Sequence, residues 1–274
     1  MPFVENQGAR IYWDEQGEGQ PVLMIMGLGA ASALWWRTRP VLAANYRTIA
    51  FDNRGVGRSD VPPGPYSIPM MASDGAAVLD AAGVTRAHIL GLSMGGMIAQ
   101  EFALQYPARV LSLILGCTAA GGPNGVRAEP AATQTLKMRA TLTREEAELT
   151  FIPFLYDDHT PPERVEEDLV KRRSWYATPE GYAAQLQAIL SWQSDDRLPQ
   201  ITAPTLVVHG KNDRLVPPGN GERIASRIPG AELVLLAGAN HMFTTDQPEA
   251  AHAVLLRFLG EQVGGADFRP ADVP

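Results

Sequence analysis

Ser93 sits in Gly91-Leu-Ser93-Met-Gly95, between the apolar run Ala87-His-Ile-Leu90 and a helix-like stretch that starts at Met94. Glycine two residues to either side suits a sharp turn from strand to helix that lifts a hydroxyl clear of a sheet. With ten serines and 26 glycines in 274 residues, roughly 0.09 such patterns are expected by accident. The match is informative because strand precedes it and helix follows; the bland alternative is a glycine-rich turn with a capping serine.

A serine hydroxyl is a weak nucleophile at neutral pH and needs a base, which a third group must orient. Of the five histidines, His88 and His209 lie in strand-like runs and read as core or strand-end residues. His159 falls in a helical interval, and His252 is expected to face out from the last helix. His241, in "LLAGANHMF", follows the last strand in a glycine-containing loop, where a side chain can reach over strand ends. The matching acid is Asp213, in "LVVHGKND" at the end of another strand. Asp246 is expected to cap the final helix, and Asp52 belongs to a different loop. A carbonyl attacked by Ser93 also needs donors for its oxyanion, each typically worth ~3 kcal/mol. The backbone N–H of Met94 is one, and Leu28, in the loop "MGLGA" after an early strand, supplies the other.

These residues require a sheet to hold them. Strand-like runs cover Ala9 to Asp14, Pro21 to Met26, Tyr46 to Asp52, Ala87 to Leu92, Val110 to Gly116, Pro204 to His209 and Ala231 to Leu236. Helical patterns lie around Ala33 to Ala44, Ile68 to Ala82, Met94 to Tyr106, Asn220 to Arg227 and Pro248 to Leu259. Runs such as "PVLMIM" and "PTLVV" are apolar without alternation, as expected of strands covered on both faces. The repetition predicts an α/β fold with a mostly parallel central sheet flanked by helices. Residues 121–198 carry only helix-like, charge-rich segments, so they read as a helical insertion in a core made of 1–120 and 199–274. The tail "GGADFRPADVP" reads as frayed.

A formal net charge of −7 and a pI near 5.3 disfavour nucleic acid and anionic membranes as partners. Cys117 is the only cysteine, which excludes an intrachain disulfide and a cysteine-based zinc site. The start of the chain does not read as a secretory signal, and no apolar run is long enough to span a membrane, so a cytoplasmic location is expected. The expected partner is a small molecule, with no metal or cofactor; a homo-oligomer is left open. Gly27-Leu-Gly29-Ala-Ala-Ser32 followed by Asp52 partly mimics a dinucleotide-binding fingerprint, but serine replaces the third glycine and that reading leaves Ser93, Asp213 and His241 unexplained.

Taken together, "VLMIMGLGA", "IAFDNRGVGRSD", "GLSMGGMIAQEFALQYPARV", "APTLVVHGKNDRLVPP" and "GANHMF" resemble, in order and spacing, the α/β-hydrolase superfamily, in its serine esterase, lactonase and cofactor-free haloperoxidase branch. The resemblance covers nearly the whole chain and is weakest over 121–198, where such enzymes carry a variable helical cap. It implies Ser93 as nucleophile, Asp213 as orienter and His241 as base, in the chain order such triads follow. Serine at the elbow argues against the branches that use aspartate there. Many relatives have His-Gly where this chain has Met26-Gly27. "DNRGVGRSD" is expected to be structural, with Asp52 and Arg54 tying loops together.

The implied chemistry is hydrolysis of a carboxylic ester or lactone through an acyl-enzyme. Perhydrolysis or C–C bond hydrolysis on the same triad, and a ligand receptor that keeps the triad, are the alternatives. Trp35, Trp36, Phe154, Trp175 and Met242 are the candidate substrate-lining residues, drawn from a wider apolar set that includes Phe151. They point to an uncharged, moderately hydrophobic substrate. Arg139 or Lys171 could meet a carboxylate, or simply lie on solvated helix faces.

Overall fold

The computed structural model describes residues 2–262. Its centre is one sheet of eight strands: β1 (Phe3–Asn6), β2 (Ala9–Gln16), β3 (Gln20–Ile25), β4 (Tyr46–Phe51), β5 (Ala87–Leu92), β6 (Val110–Gly116), β7 (Thr205–Gly210) and β8 (Glu232–Leu236). They lie in the order β1-β2-β4-β3-β5-β6-β7-β8. The pairings β1–β2 and β2–β4 are antiparallel, and every pairing from β4 to β8 is parallel.

Side chains alternate across each strand, so the apolar runs feed two cores. Leu23, Ile25, Ile49, Phe51, Ile89, Leu113 and Val207 point to one face, where α2 (Ile68–Ala81), α3 (Met94–Gln105) and α8 (Gly219–Arg227) cover them. Val22, Met24, Ala50, Leu90, Ile114 and Leu206 point to the other, under α1 (Arg39–Ala43) and α10 (Pro248–Gln262). Burial on both faces is why these strands lack a polar alternation.

Two local readings change. β1 escapes the sequence because "FVEN" is a four-residue edge strand with alternate residues exposed. The helix expected over Ala33 to Ala44 is divided into a 3-10 turn, Ser32–Trp36, and α1. Pro40 accounts for the break, since proline fits the first turn of a helix and not its interior.

Between β6 and β7 the chain forms α4 (Pro130–Met138), α5 (Arg144–Leu155), α6 (Pro162–Arg173) and α7 (Pro179–Leu190). Thr143 starts α5 with a capping box, its hydroxyl and Glu146 exchanging hydrogen bonds with each other's backbone N–H. Phe151, Leu155 and Tyr156 of this interval pack with Leu215 and Met242 from the loops after β7 and β8. Among the described residues, no helix is long and apolar enough to cross a membrane. The tail read as frayed lies outside the described residues.

Strand order reverses around β3: the chain steps outward to β4 and then returns to place β5 on the other side. Such a reversal opens a crevice at the carboxyl ends of the two strands. The loops after β3 and β5, which carry Leu28 and Ser93, meet at that point.

Candidate active site

Ser93 stands between β5 and α3 with φ 55° and ψ −120°, a conformation that costs a non-glycine residue on the order of 1–3 kcal/mol. The surroundings hold it there. Its N–H donates to Gly116 O at 2.9 Å, and its carbonyl accepts from Gly96 N at 2.9 Å and Thr118 Oγ1 at 2.7 Å. The flanking glycines are steric requirements: a Cβ on Gly91 would lie 2.1 Å from Gly95 O, and one on Gly95 would lie 2.1 Å from Ile25 O.

Met94 is the first residue of α3, so its N–H has no intrahelical acceptor and lies at the positive end of the helix. Leu28 belongs to the loop after β3, and both residues line the same cavity as Ser93. That loop is tied from two directions. Asn53 Nδ2 donates to Met26 O at 2.9 Å, Gly29 N donates to Gln185 Oε1 at 2.8 Å, and Gln185 Nε2 donates onward to Arg54 O at 2.7 Å. Gln185, fully buried on α7, was not legible as a site residue because its partners lie more than a hundred residues away.

The loops after β7 and β8 bring Asp213 and His241 together, with His241 Nδ1 and Asp213 Oδ2 2.8 Å apart. Asp213 Oδ1 accepts from Leu215 N at 2.9 Å and Val216 N at 2.8 Å, which fixes the carboxylate plane. A carboxylate only accepts, so the network assigns the proton to Nδ1 of His241 and leaves Nε2 with its lone pair. Burial alone would raise the Asp213 acid, but His241 and His209 beside it hold it down at about 2. His209 is more than a core histidine. Its Nε2 donates to Val216 O at 2.7 Å and lies 3.3 Å from Asp213 Oδ2.

Ser93 and His241 face a cavity of about 170 Å³, roofed by residues of α4, α5, α6 and α7. Its walls are mostly apolar, the ordinary character of a small-molecule site.

A family model for the alpha/beta hydrolase fold matches residues 20–248. The chain belongs to the alpha/beta hydrolase family. It is 32% identical over 269 residues to the protein named "Putative carbamate hydrolase RutD" of Azorhizobium caulinodans, covering 95% of this chain and 99% of that one. It is 32% identical over 252 residues to a poly(3-hydroxyalkanoate) depolymerase of Ectopseudomonas oleovorans, covering 91% and 88%. Among solved structures, a thermophilic esterase from Thermogutta terrifontis superposes with a TM-score of 0.83 at 30% identity, covering 95% of this chain and 98% of that one.

Within this alpha/beta hydrolase, several other candidate residues take different places. Asp246 does not cap the final helix: it is buried in the short α9 (Phe243–Asp246), ahead of α10. Its carboxyl accepts from Asn240 N at 2.7 Å, Thr160 Oγ1 at 2.6 Å and Asp157 N at 3.2 Å, which ties the His241 loop to the α5–α6 connection. Burial pushes its acid up to about 6 against those three donors. His252 is half-buried against Thr38 Oγ1 at 3.3 Å instead of facing out, and burial pushes it down to about 4. Asp52 is structural: its oxygens accept from Ser32 N, Ser32 Oγ and Arg58 N at 2.6–2.8 Å, so they are already engaged. Arg54 pairs with Asp74 on α2 at 2.7 Å.

Of the substrate-lining candidates, Met242 lines the cavity and four do not. Trp35 is buried in the sheet-face core, and Trp36 donates its Nε1 to Asp168 Oδ1 at 2.9 Å. Phe154 and Trp175 lie beneath Arg214 and Arg58, at 5.0 and 4.7 Å. The walls use Leu34, Leu136, Phe151, Tyr182 and Leu186 instead. Lys171 sits over the Trp36 ring at 5.5 Å, whereas Arg139 lines the cavity.

Proposed function

We propose that this alpha/beta hydrolase cleaves a carboxylic ester or lactone through an acyl-enzyme on Ser93. The observation that carries the reading is the convergence on one cavity of a serine in a strained elbow and a histidine already oriented by a carboxylate. Nε2 of His241 takes the Ser93 proton while Oγ attacks the substrate carbonyl. The N–H groups of Leu28 and Met94 receive the oxyanion. Collapse breaks the bond to the leaving oxygen, which takes the proton from His241. Water then gives a proton to the same nitrogen and attacks the acyl carbon; collapse breaks the bond to Ser93 Oγ, which recovers that proton from His241 as the acid leaves. Asp213 stays ionised throughout, since its acid is held near 2.

Cys117 also lines the cavity, but burial, reinforced by the nearby Asp213 charge, raises its thiol well above the usual range. It is protonated and a poor competitor of Ser93. The named relatives support a reaction at a carbonyl carbon, as an esterase and a carbamate hydrolase both do. In this reading residues 121–198 act as a cap over the cavity.

Incubation with p-nitrophenyl butyrate is expected to release many equivalents of p-nitrophenolate per chain. A single equivalent, with the chain left modified, would indicate a receptor that reacts once, and no release would count against the ester reading.

A further inference from the structure

Two guanidinium groups line the cavity that holds Ser93 and His241: Arg139, from the 3-10 turn after α4, and Arg172, near the end of α6. Three other arginines around the insertion have carboxylate partners, and Arg164 on α6 donates to the backbone carbonyls of Thr245 and Asp246 at 3.2 and 3.3 Å. Arg173 pairs with Glu148 and Glu166, Arg197 with Glu101, and Arg214 with Glu129. Among the described residues, neither Arg139 nor Arg172 makes an ion pair. Arg172 is 8% exposed, and its Nε is buried without an acceptor. Arg139 lies 5.1 Å from the Phe151 ring and 5.2 Å from the Tyr182 ring, which attract a cation but provide no counter-ion. Burial, and next the Arg172 charge, push the Arg139 guanidinium down to about 10. Glu148 is close enough to influence both, but its oxygens are engaged by Arg173 and Tyr176.

A buried cation without a partner is destabilising, and a second like charge lining the same cavity adds to the cost. This pair occurs in a chain of net charge −7, inside an otherwise apolar cavity beside the serine. A planar carboxylate offers the two-pronged acceptor that a guanidinium fork matches.

We propose that Arg139 and Arg172 bind a free carboxylate of the substrate, so that the preferred ester or lactone carries a second, anionic end. This replaces the uncharged substrate expected from the aromatic residues. The substrate assignment rests on the hydrolytic reading of Ser93; the carboxylate site itself does not.

The test compares p-nitrophenyl hemiglutarate, which keeps a free carboxylate, with neutral p-nitrophenyl pentanoate, and measures glutarate binding by calorimetry. The wild-type chain is expected to favour the hemiester in kcat/KM by about tenfold or more, and Arg139→Gln or Arg172→Gln to lower that ratio by a similar factor. Glutarate should bind the wild type at least about tenfold more tightly than either variant. If a Gln variant fails to fold, Arg172→Lys and Arg139→Lys, which keep the charge but lose the fork, should show a smaller loss in the same direction. An unchanged ratio with unchanged glutarate affinity in folded variants overturns the proposal. If the wild type hydrolyses neither ester, the hydrolytic reading fails and glutarate decides the site alone: tighter binding to wild type supports it, and equal binding refutes it.

Discussion

Ser93→Gly is expected to abolish turnover while raising the melting temperature. Without Oγ there is no nucleophile, and losses of about 10⁶ in kcat accompany removal of such a serine. Glycine, however, adopts the φ of 55° at this position without strain. The relief of about 1–3 kcal/mol, set against the roughly 0.5–1 kcal/mol that glycine loses in backbone entropy, leaves a central net gain of about 1 kcal/mol. For a domain of this size the net gain corresponds to a rise in Tm of about 2–4 °C. Ser93→Ala should be equally inactive yet melt close to wild type, since alanine inherits the strain. A glycine variant that melts lower than wild type contradicts the account of the elbow, and one that still turns over contradicts the nucleophile.

Asp213→Asn is expected to reduce kcat by about 10⁴ with the fold retained. The amide oxygen can still accept from Leu215 N and Val216 N, so the loop after β7 keeps its anchor. The NH₂ group then faces Nδ1 of His241, which must become an acceptor. The proton moves to Nε2, where a base is needed. The acid also leaves a signature in stability. A carboxyl held at about 2 when folded, against 3.8 ordinarily, stabilises the chain fully above the unfolded value and loses that contribution as pH falls through 2. Any stability advantage of wild type over Asp213→Asn should therefore shrink between pH 4 and pH 2 in thermal melts. Asp246→Asn separates the two acids. An NH₂ group must oppose either Asn240 N or the Asp157 N and Thr160 donors, so a buried donor goes unmatched at ~1–3 kcal/mol. Its main loss should be in Tm. Greater loss of kcat in Asp246→Asn than in Asp213→Asn would reassign the acid.

Much of this site was legible because its constraints are local. The glycines around Ser93 are demanded by backbone approaches within a few residues and from the adjoining strand, and a turn of that kind leaves its mark in the sequence. Asp213 and His241 could be picked out because each follows an apolar run at a strand end. The cavity was not legible in the same way. Its walls come from loops after five strands and from five separate helices, and no periodicity links Leu34 to Tyr182 or Leu186. Choosing large aromatic residues favoured the ones the fold uses elsewhere, such as Trp35 in the core and Trp36 on Asp168. Asp246 was misplaced for a related reason: its partners Asp157 and Thr160 are 89 and 86 residues away, and only the folded α5–α6 connection delivers them. Arg139 stood open in the sequence beside Lys171, and Arg172 carried no signal at all, because solvent and cavity are indistinguishable until the helices are packed.

The central claim, that Ser93 is the nucleophile, is tested most directly by trapping it. An alkyl p-nitrophenyl phosphonate reacts with an activated serine and leaves a phosphonyl group that water removes slowly. The account predicts one equivalent of p-nitrophenolate per chain, loss of ester turnover, and the added mass on the peptide that contains Ser93, with none of this in Ser93→Ala. Labelling of Cys117 or another residue in parallel with inactivation, or full labelling of Ser93→Ala, would contradict it.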